Sequence, residues 1–336
     1  MTSVQPALPP SLHSVLKSAV PYSIPLVERF RGIDVREGMV LSGPAGWGEF
    51  CPFEEYDDPT AGAWLATAIE ACTVGWPVPV RDRIPINCTV PAVSAERAFE
   101  IVSGSGCRTA KVKVAEHPDS LAEDQARVEA VRAALGPGGA IRVDANARWD
   151  VDTAVRALRL LERAAGGLEY AEQPCRTIEE LAVVRRRTGV RIAADESIRQ
   201  AGDPLRVALS GAADIAVIKC TPLGGVRRAL AVAAATGLPC VVSSALETSI
   251  GLAAQLALAG ALPELDFACG LGTLSLLRAD VLAPGESLRP VAGFISVPAG
   301  PPAPDPAALA AVQLPDPDRA RWWHQRLARA AAHLPN

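Results

Sequence analysis

Between residues 84 and 285, short β-branched segments alternate with longer stretches that carry apolar residues at helical spacing. The strand-like segments span residues 84–90, 109–114, 140–145, 168–173, 191–196, 215–219, 239–244 and 265–270. Strands that alternate with helices form parallel βαβ units. Eight such units predict an α/β fold, a (β/α)8 TIM barrel over residues 83–285. A doubly wound open sheet is the alternative, but no G-x-G-x-x-G motif follows the first strand.

The two ends of the chain have a different pattern. Residues 25–50 are typical of a β-meander with glycine-rich turns, and residues 60–72 of a helix that follows it. We therefore expect residues 1–82 to form an α+β capping domain. The proline-rich segment 286–336 ends in an Ala/Arg helix, which either returns to close this cap or extends from the surface.

Composition excludes several classes of function. The net charge of −4 lacks the basic excess of a nucleic-acid-binding protein. The N-terminus shows no signal-peptide pattern, and the apolar stretch 251–265 is too short and too rich in Ala and Gly for a membrane span. The eight cysteines form no C-x-x-C pair, so we expect reduced, buried thiols in a cytoplasmic protein. The chain has four histidines, and only His117 lies in its middle part. Catalysis by a Ser-His-Asp or Cys-His site is therefore disfavoured.

Ionisable residues mark the ends of five consecutive predicted strands. They are Lys111 and Lys113 on the second strand, Asp144 on the third, Glu172 on the fourth, Asp195 and Glu196 on the fifth, and Lys219 on the sixth, with Asn146 just beyond the third. The carboxyl ends of barrel strands are where active sites form. Each of these features alone is more often an exposed edge or a helix cap. Their order along the chain favours one site.

Three of these side chains are carboxylates at regular spacing. Asp144, Glu172 and Asp195 are separated by 28 and 23 residues, and Lys219 follows 24 residues later, so each gap is about one βα unit. Carboxylates that converge in a partly dry pocket repel one another. A hard divalent cation such as Mg²⁺, which takes oxygen ligands, would remove that repulsion.

The lysines are unusual because the chain otherwise uses arginine. Only four of its 33 basic residues are lysine, and Lys111, Lys113 and Lys219 are three of them. Lys111 and Lys113 share one face of their strand, and Lys219 comes from four strands further round the barrel. A lysine can lose its proton when it is desolvated or lies beside another cation, whereas arginine cannot. This pattern predicts a general base that titrates.

The motifs "KVK", "RVDAN", "EQP", "ADES" and "IKCTPLGG", in this order, resemble the enolase superfamily, specifically its branch with lysine bases on strands two and six. Within that branch, "NCTVPA", "GWGEF" and "SSALETSIGLAA" are most similar to actinobacterial enzymes of menaquinone biosynthesis. One departure is that a glycine commonly follows "DAN" in the superfamily, whereas Ala147 and Arg148 stand here. The resemblance implies a barrel with an N-terminal cap that the C-terminal tail closes.

The resemblance also implies roles for the residues of the site. Asp144, Glu172 and Asp195 would bind Mg²⁺, for which Mn²⁺ could substitute, with Asn146 and Glu196 in support. Lys113 would remove the proton α to the carboxylate of 2-succinyl-6-hydroxy-2,4-cyclohexadiene-1-carboxylate, and the enediolate would lose water to give 2-succinylbenzoate. Lys219 would stabilise the intermediate, and Lys111 would tune the pKa of Lys113.

The succinyl tail would contact the strand-seven and strand-eight loops and the cap. The candidate residues are Ser243, Ser244, Gly270 and Thr273. The cap stretch 22–33 is either a lid that excludes water or a plain edge strand. The expected partner is a small carboxylate substrate, and the sequence does not indicate an oligomeric state.

Other functions fit parts of this pattern. An N-acylamino acid racemase or dipeptide epimerase of the same superfamily would use Lys113 and Lys219 unchanged. Dipeptide-specific members tend to carry Asp-x-Asp at the last strand, where this chain has "CGLGT" (269–273). A non-catalytic barrel scaffold would need none of these groups. A Schiff-base aldolase would need a lysine but no rim carboxylates.

Overall fold

The computed structural model describes residues 10–199, 207 and 211–334. The cap begins with a short helix and a three-stranded antiparallel sheet, whose strands lie in the order β1-β2-β3. These elements are α1 (Pro10–Lys17), β1 (Val20–Phe30), β2 (Ile33–Gly43) and β3 (Gly46–Phe50). The predicted β-meander is thereby confirmed. The turn between β1 and β2 consists of Arg31 and Gly32, which both have positive φ, as type I′ hairpin turns require.

The cap is completed by helix α2 (Asp58–Thr73), which contains the predicted helix 60–72. The side chain of Asp57 caps it by accepting a hydrogen bond from the backbone N–H of Thr60, and Pro59 occupies the first turn. One face of α2 packs on the sheet. Trp64 and Leu65 are among its fully buried side chains.

The predicted alternation of strands and helices is also confirmed. The strands after the cap are β4 (Arg83–Pro85), β5 (Cys88–Val90), β6 (Thr109–Lys113), β7 (Ala140–Asp144), β8 (Tyr170–Glu172), β9 (Ile192–Ala194), β10 (Ile215–Ile218) and β11 (Cys240–Val242). Strands β5 to β11 form one parallel sheet in which neighbours in space are neighbours along the chain. This order is that of a singly wound barrel, so the doubly wound alternative is wrong.

The first and last predicted strands differ from expectation. The predicted strand 84–90 is divided after Pro85, the last residue of β4. Strand β4 pairs instead with β12 (Phe294–Ser296), outside the barrel sheet. The predicted eighth strand, 265–270, forms no ladder. It closes the barrel through two isolated parallel bridges, Ile86 to Cys269 and Ser243 to Gly270.

Helices connect the strands and surround the sheet. Those that the structure describes are α3 (Ala95–Ser105), α4 (Leu121–Leu135), α5 (Val151–Ala165), α6 (Ile178–Arg187), α7 (Glu196–Arg199), α8 (Cys220–Leu223), α9 (Val226–Thr236) and α10 (Ser249–Ala261), followed by a 3-10 turn at Thr273–Leu276. Side chains of Ser94, Asp150 and Thr177 cap α3, α5 and α6. Helix α10 is buried almost all round, so most of the apolar stretch 251–265 lies in the core. Among the described residues, every helix falls short of the length or apolarity that crossing a bilayer demands.

The C-terminal segment returns to the cap, as one of the two expectations had it. It forms α11 (Pro306–Val312) and α12 (Pro317–Ala331). Trp323 packs edge-on against Phe50, with ring centroids 6.1 Å apart. Arg319 donates to Glu37 at 2.7 Å and to both carboxylate oxygens of Glu54 at 2.9 and 3.1 Å.

Buried polar contacts fix the cap to the barrel. Glu49 on β3 is buried and accepts hydrogen bonds from Thr248 and from the backbone N–H of Gly251, in the first turn of α10. Burial raises the pKa of Glu49. Arg36 on β2 donates to the carbonyls of Ala245 and Leu246 at 3.2 and 3.0 Å. The loop after β11 is therefore held partly by the cap.

The chain turns through left-handed backbone where the barrel strands end. Non-glycine residues with positive φ follow the second, third, fourth and seventh strands, namely Ala115, Asn146, Ala147, Gln173 and Leu246. Ala147 has a φ of 61°, a region that favours glycine. A glycine at this position would adopt that conformation without the strain.

We expect the substitution Ala147→Gly to leave the free energy of unfolding unchanged or to raise it by up to about 1 kcal/mol. Relief of the left-handed strain of about 1–2 kcal/mol is offset by the chain entropy of glycine, about 0.5–1 kcal/mol. The matched control is Ala126→Gly, at an exposed position inside α4, which should cost about 1 kcal/mol. Urea unfolding measures both. Equal losses at the two positions would contradict the strain argument.

Candidate active site

Three carboxylates lie side by side at the carboxyl end of the barrel sheet. Asp144 is paired in register with Glu172, and Glu172 with Ala193 on the next strand. Asp195 lies two residues beyond Ala193, and side chains two apart in an extended strand share a face. All three acids are almost completely buried, with exposures of 1, 1 and 2%.

Two lysines of β6 reach these acids. The Nζ of Lys111 donates to the two oxygens of Glu172 at 3.0 and 3.2 Å and lies 3.3 Å from Oδ2 of Asp144. The Nζ of Lys113 donates to Oδ2 of Asp144 at 2.5 Å and to Oδ1 of Asn146 at 2.6 Å. The two ammonium groups therefore share Asp144.

The third lysine approaches from another part of the barrel. Lys219 directly follows β10, the sixth barrel strand, and its ammonium donates to Asp195. It lines the same cavity as Lys111 and Lys113. A molecule bound in this cavity would thus have amines from the second strand on one side and an amine from the sixth strand on the other.

The two lysines of β6 differ in proton affinity. Burial lowers the pKa of Lys113, and the neighbouring cation Lys111 lowers it further, against the opposing effect of Asp144. Burial also opposes the charge of Lys111, but Glu172 and Asp144 outweigh it and raise the pKa of Lys111. Lys113 therefore loses its proton more readily and can act as a general base, whereas Lys111 keeps its proton.

The carboxylates are likewise unequal. Although burial opposes its ionisation, Lys113 and Lys111 hold the pKa of Asp144 well below its usual range. Burial together with the negative charge of Asp144 raises the pKa of Glu172 to about 7, and Asp195 contributes in the same direction. A further cation beside Glu172 would favour its charged form and so lower its pKa.

The donor chemistry of this site fits a divalent cation. All three acids offer carboxylate oxygens, the ligands that Mg²⁺ prefers. Within the residues that the structure describes, no three acidic, histidine or cysteine side chains are arranged to share one ion. The carboxylates pair with ammonium groups instead: Lys111 bridges Asp144 and Glu172, while Lys113 pairs with Asp144 and Lys219 with Asp195. Asp144, Glu172 and Asp195 are the residues that would hold such an ion.

Asn146 and Glu196 line the cavity and also form a hydrogen-bond chain that ends at Lys113. Oδ1 of Asn146 accepts from Lys113, while its Nδ2 donates to Oε1 of Glu196 at 3.3 Å. The backbone N–H of Asn146 donates to Oδ1 of Asp144 at 3.1 Å. Asn146 therefore fixes both Lys113 and its carboxylate partner.

The four residues predicted to bind substrate line the cavity. The hydroxyls of Ser244 and Thr273 lie 2.6 Å apart, so they bridge the seventh and eighth strand positions. Gly270 approaches Ser243 closely, since a Cβ at Gly270 would lie 2.7 Å from the Ser243 Oγ. Only glycine fits here without moving that hydroxyl.

Sequence reasoning singled out the cap stretch 22–33 but missed the other cap side chains over the cavity. Of the stretch 22–33, residues up to 30 form β1, and only the hairpin tip lines the cavity. The cap aromatic cluster consists of Phe30, Phe53, Tyr56 and Trp64. Arg31 lies over the Phe53 ring at 4.0 Å and donates to the Tyr56 hydroxyl at 2.7 Å. The signal was the dense aromatic segment "CPFEEY" in a chain with only 4% aromatic residues.

Comparisons with known protein families match both parts of the fold. Residues 21–72 match the "Enolase N-terminal domain-like" family, and residues 93–301 match the "Enolase C-terminal domain-like" family. Solved structures share the fold. A muconate lactonizing enzyme from Pseudomonas fluorescens has a TM-score of 0.75 at 22% identity, covering 88% of this chain and 98% of that one. The L-Ala-D/L-Glu epimerase from Bacillus subtilis has a TM-score of 0.71 at 25% identity, covering 84% and 96%.

Curated relatives match over nearly the whole chain. An o-succinylbenzoate synthase of Thermobifida fusca is 62% identical over 276 residues, 82% of this chain and 86% of the relative. An o-succinylbenzoate synthase of Mycolicibacterium smegmatis is 53% identical over 324 residues, 96% of this chain and 98% of the relative. The family matches, the barrel with its cap and these relatives together lead to one conclusion. The chain belongs to the o-succinylbenzoate synthases of the enolase superfamily.

Proposed function

We propose that this enzyme dehydrates 2-succinyl-6-hydroxy-2,4-cyclohexadiene-1-carboxylate to 2-succinylbenzoate, a step of menaquinone biosynthesis. One observation supports the chemistry above all others. Lys113, a partly buried amine of lowered pKa, and Lys219 enter the same cavity from different sides, beside three buried carboxylates. Such a site can remove a proton from a weak carbon acid and stabilise the charge that results.

The proton steps follow from the positions of the lysines. Neutral Lys113 removes the ring proton α to the substrate carboxylate, and the C–H electron pair passes into that carboxylate to give an enediolate. When this pair returns to the ring, a C=C bond forms and the C–OH bond breaks. Protonated Lys113 donates its proton to the departing hydroxyl, so water leaves and the ring becomes aromatic.

The other charged groups hold the substrate and the developing charge. Lys219, whose side chain pairs with Asp195, stabilises the enediolate from the other side of the ring. Lys111 stays cationic between Glu172 and Asp144 and keeps the pKa of Lys113 low. Asp144, Glu172 and Asp195 are the ligands we propose for Mg²⁺, or Mn²⁺ in its place. When bound, the ion supplies positive charge next to the substrate carboxylate.

The substrate tail needs polar contacts away from the lysines. We propose that Ser243, Ser244 and Thr273 donate to the succinyl group, with Gly270 leaving room for it. The cap aromatic cluster would cover the ring and exclude water. The free cysteines among the described residues suit the reducing cytoplasm, where we expect the enzyme to work.

A racemase of N-acylated amino acids is the second candidate, because Lys113 and Lys219 flank one cavity. That reaction would exchange the substrate α-proton with solvent and release no water. Incubating the enzyme with an N-succinyl amino acid in D₂O and following deuterium incorporation by NMR tests it. Fast exchange, together with no aromatic product from the cyclohexadiene substrate, would refute dehydration as the main activity.

Replacing the base should abolish turnover while keeping the fold. Lys113→Arg retains the positive charge but cannot act as a base, so kcat should fall at least about 10³-fold. The control Lys17→Arg changes a lysine in α1 and should leave kcat unchanged. Ultraviolet detection of the aromatic product measures both. A Lys113→Arg enzyme that keeps more than a tenth of kcat would exclude Lys113 as the base.

Activity should depend on pH through the lysine base. Because burial and Lys111 depress the pKa of Lys113, kcat/KM should rise with pH through a group that titrates below the ordinary lysine value of about 10.5. In Lys111→Met the neighbouring cation is lost, so the same rise should move to higher pH. An unchanged or lower midpoint in that variant would show that Lys111 does not set the pKa of the base.

Removing divalent ions should stop the reaction reversibly. Exhaustive dialysis against EDTA is expected to reduce the rate of product formation below detection, and added Mg²⁺ or Mn²⁺ to restore it, because the carboxylate α-proton is too weakly acidic without a nearby cation. Addition of Na⁺ at equal ionic strength is the control. Full activity after dialysis, with metal content verified by elemental analysis, would rule out the proposed ion.

A further inference from the structure

Gln173 directly follows Glu172 at the carboxyl end of β8, and its side chain is fully buried. Its φ of 38° lies in the left-handed region, which a non-glycine residue adopts at a cost of about 1–2 kcal/mol. Surrounding contacts must therefore hold it there. No role in the proposed chemistry accounts for this residue.

The side-chain amide of Gln173 is hydrogen-bonded at both ends. Its Oε1 accepts from the backbone N–H groups of Asp195 at 2.9 Å and Ser197 at 3.2 Å. Its Nε2 donates to the carbonyl of Cys175 at 3.0 Å and to the Ser197 hydroxyl at 2.7 Å. These contacts use both amide protons and both acceptor sites of the side chain.

The backbone of Gln173 makes further links to the neighbouring strands. Its N–H donates to the carbonyl of Ala193 at 2.8 Å, and its carbonyl accepts from the N–H of Ala147 at 2.7 Å. Ala147 lies three residues beyond Asp144, and Ala193 two residues before Asp195. One residue thus joins the three chain segments that carry Asp144, Glu172 and Asp195.

We propose that Gln173 is a positioning residue for the cation site. Its amide oxygen fixes the backbone of Asp195 relative to Glu172, so that the two carboxylates can present oxygens to one divalent ion. Groups that orient metal ligands typically change metal affinity 10–100-fold when they are lost. The inference rests on the proposed metal site, but it is independent of which substrate the enzyme uses.

The chain supplies a matched control in Gln255 on α10, which is also fully buried. Its Oε1 accepts from the N–H of Cys220 at 3.0 Å, and its Nε2 donates to Thr221 at 3.3 Å and Glu247 at 2.9 Å. These partners lie outside the three segments that carry the carboxylates. Replacing either glutamine by leucine leaves buried polar groups unpaired and should destabilise the fold.

The test measures the Kd for Mn²⁺, from the electron paramagnetic resonance signal of the free ion, together with urea unfolding. Gln173→Leu should bind Mn²⁺ about 10–100-fold more weakly than the parent chain, whereas Gln255→Leu should stay within about threefold despite its lower stability. Gln173→Glu retains the acceptor for Asp195 and should bind more tightly than Gln173→Leu.

The possible outcomes separate this inference from the proposed function. If the parent chain fails to bind Mn²⁺, the metal site itself is refuted, and the role of Gln173 with it. If the parent binds but Gln173→Leu binds equally well, or no more weakly than Gln255→Leu, the positioning role alone is overturned. If Gln173→Leu does not fold, the variant Ser197→Ala tests the positioning role instead, because it removes one hydrogen-bond partner of the Gln173 amide. A Kd raised at least threefold supports the role, and an unchanged Kd refutes it.

Discussion

The structure depends on the compensation of three buried carboxylates by lysine ammonium groups at one end of the barrel. Asp144, Glu172 and Asp195 are buried there, and an unpaired buried carboxylate costs several kcal/mol. Ammonium groups from the second and sixth strands, at Lys111 and Lys219 among others, compensate them. The same carboxylates and ammonium groups are the ones on which the proposed chemistry depends. Stability and chemistry thus draw on one set of contacts.

That arrangement needs a dry environment, which the cap provides. The aromatic cluster around Phe53 closes the cavity, and Arg36 lies between this ring, at 4.4 Å, and the carbonyls of the loop after β11. Glu49 joins the cap sheet to the first turn of α10. The C-terminal helix then covers the outer side of the cap through Trp323. Residues far apart in sequence therefore cooperate to hold the cap over the cavity.

The repeating pattern of strands and helices could be predicted because burial of parallel strands imposes it locally. The candidate site could be predicted because chemistry gathers where parallel strands end. The eighth strand could not, since "LDFACG" (265–270) has strand-like composition but is held by only two bridges. The division of the first predicted strand after Pro85 could not be predicted either, because the partner of β4 is β12, which lies some two hundred residues later in the chain.

The sequence by itself determined the barrel order, the side of the sheet that carries the acids, and the choice of lysine over arginine where a proton must move. These follow from periodicity and from side-chain chemistry, which are local. Only the tertiary structure decided that Lys111 bridges Glu172 and Asp144 while Lys113 shares Asp144 with it, which makes the two lysines unequal. It also decided that hydrogen bonds of Gln173 connect the three segments that carry the carboxylates. Such contacts depend on distances in space, which spacing along a chain does not encode.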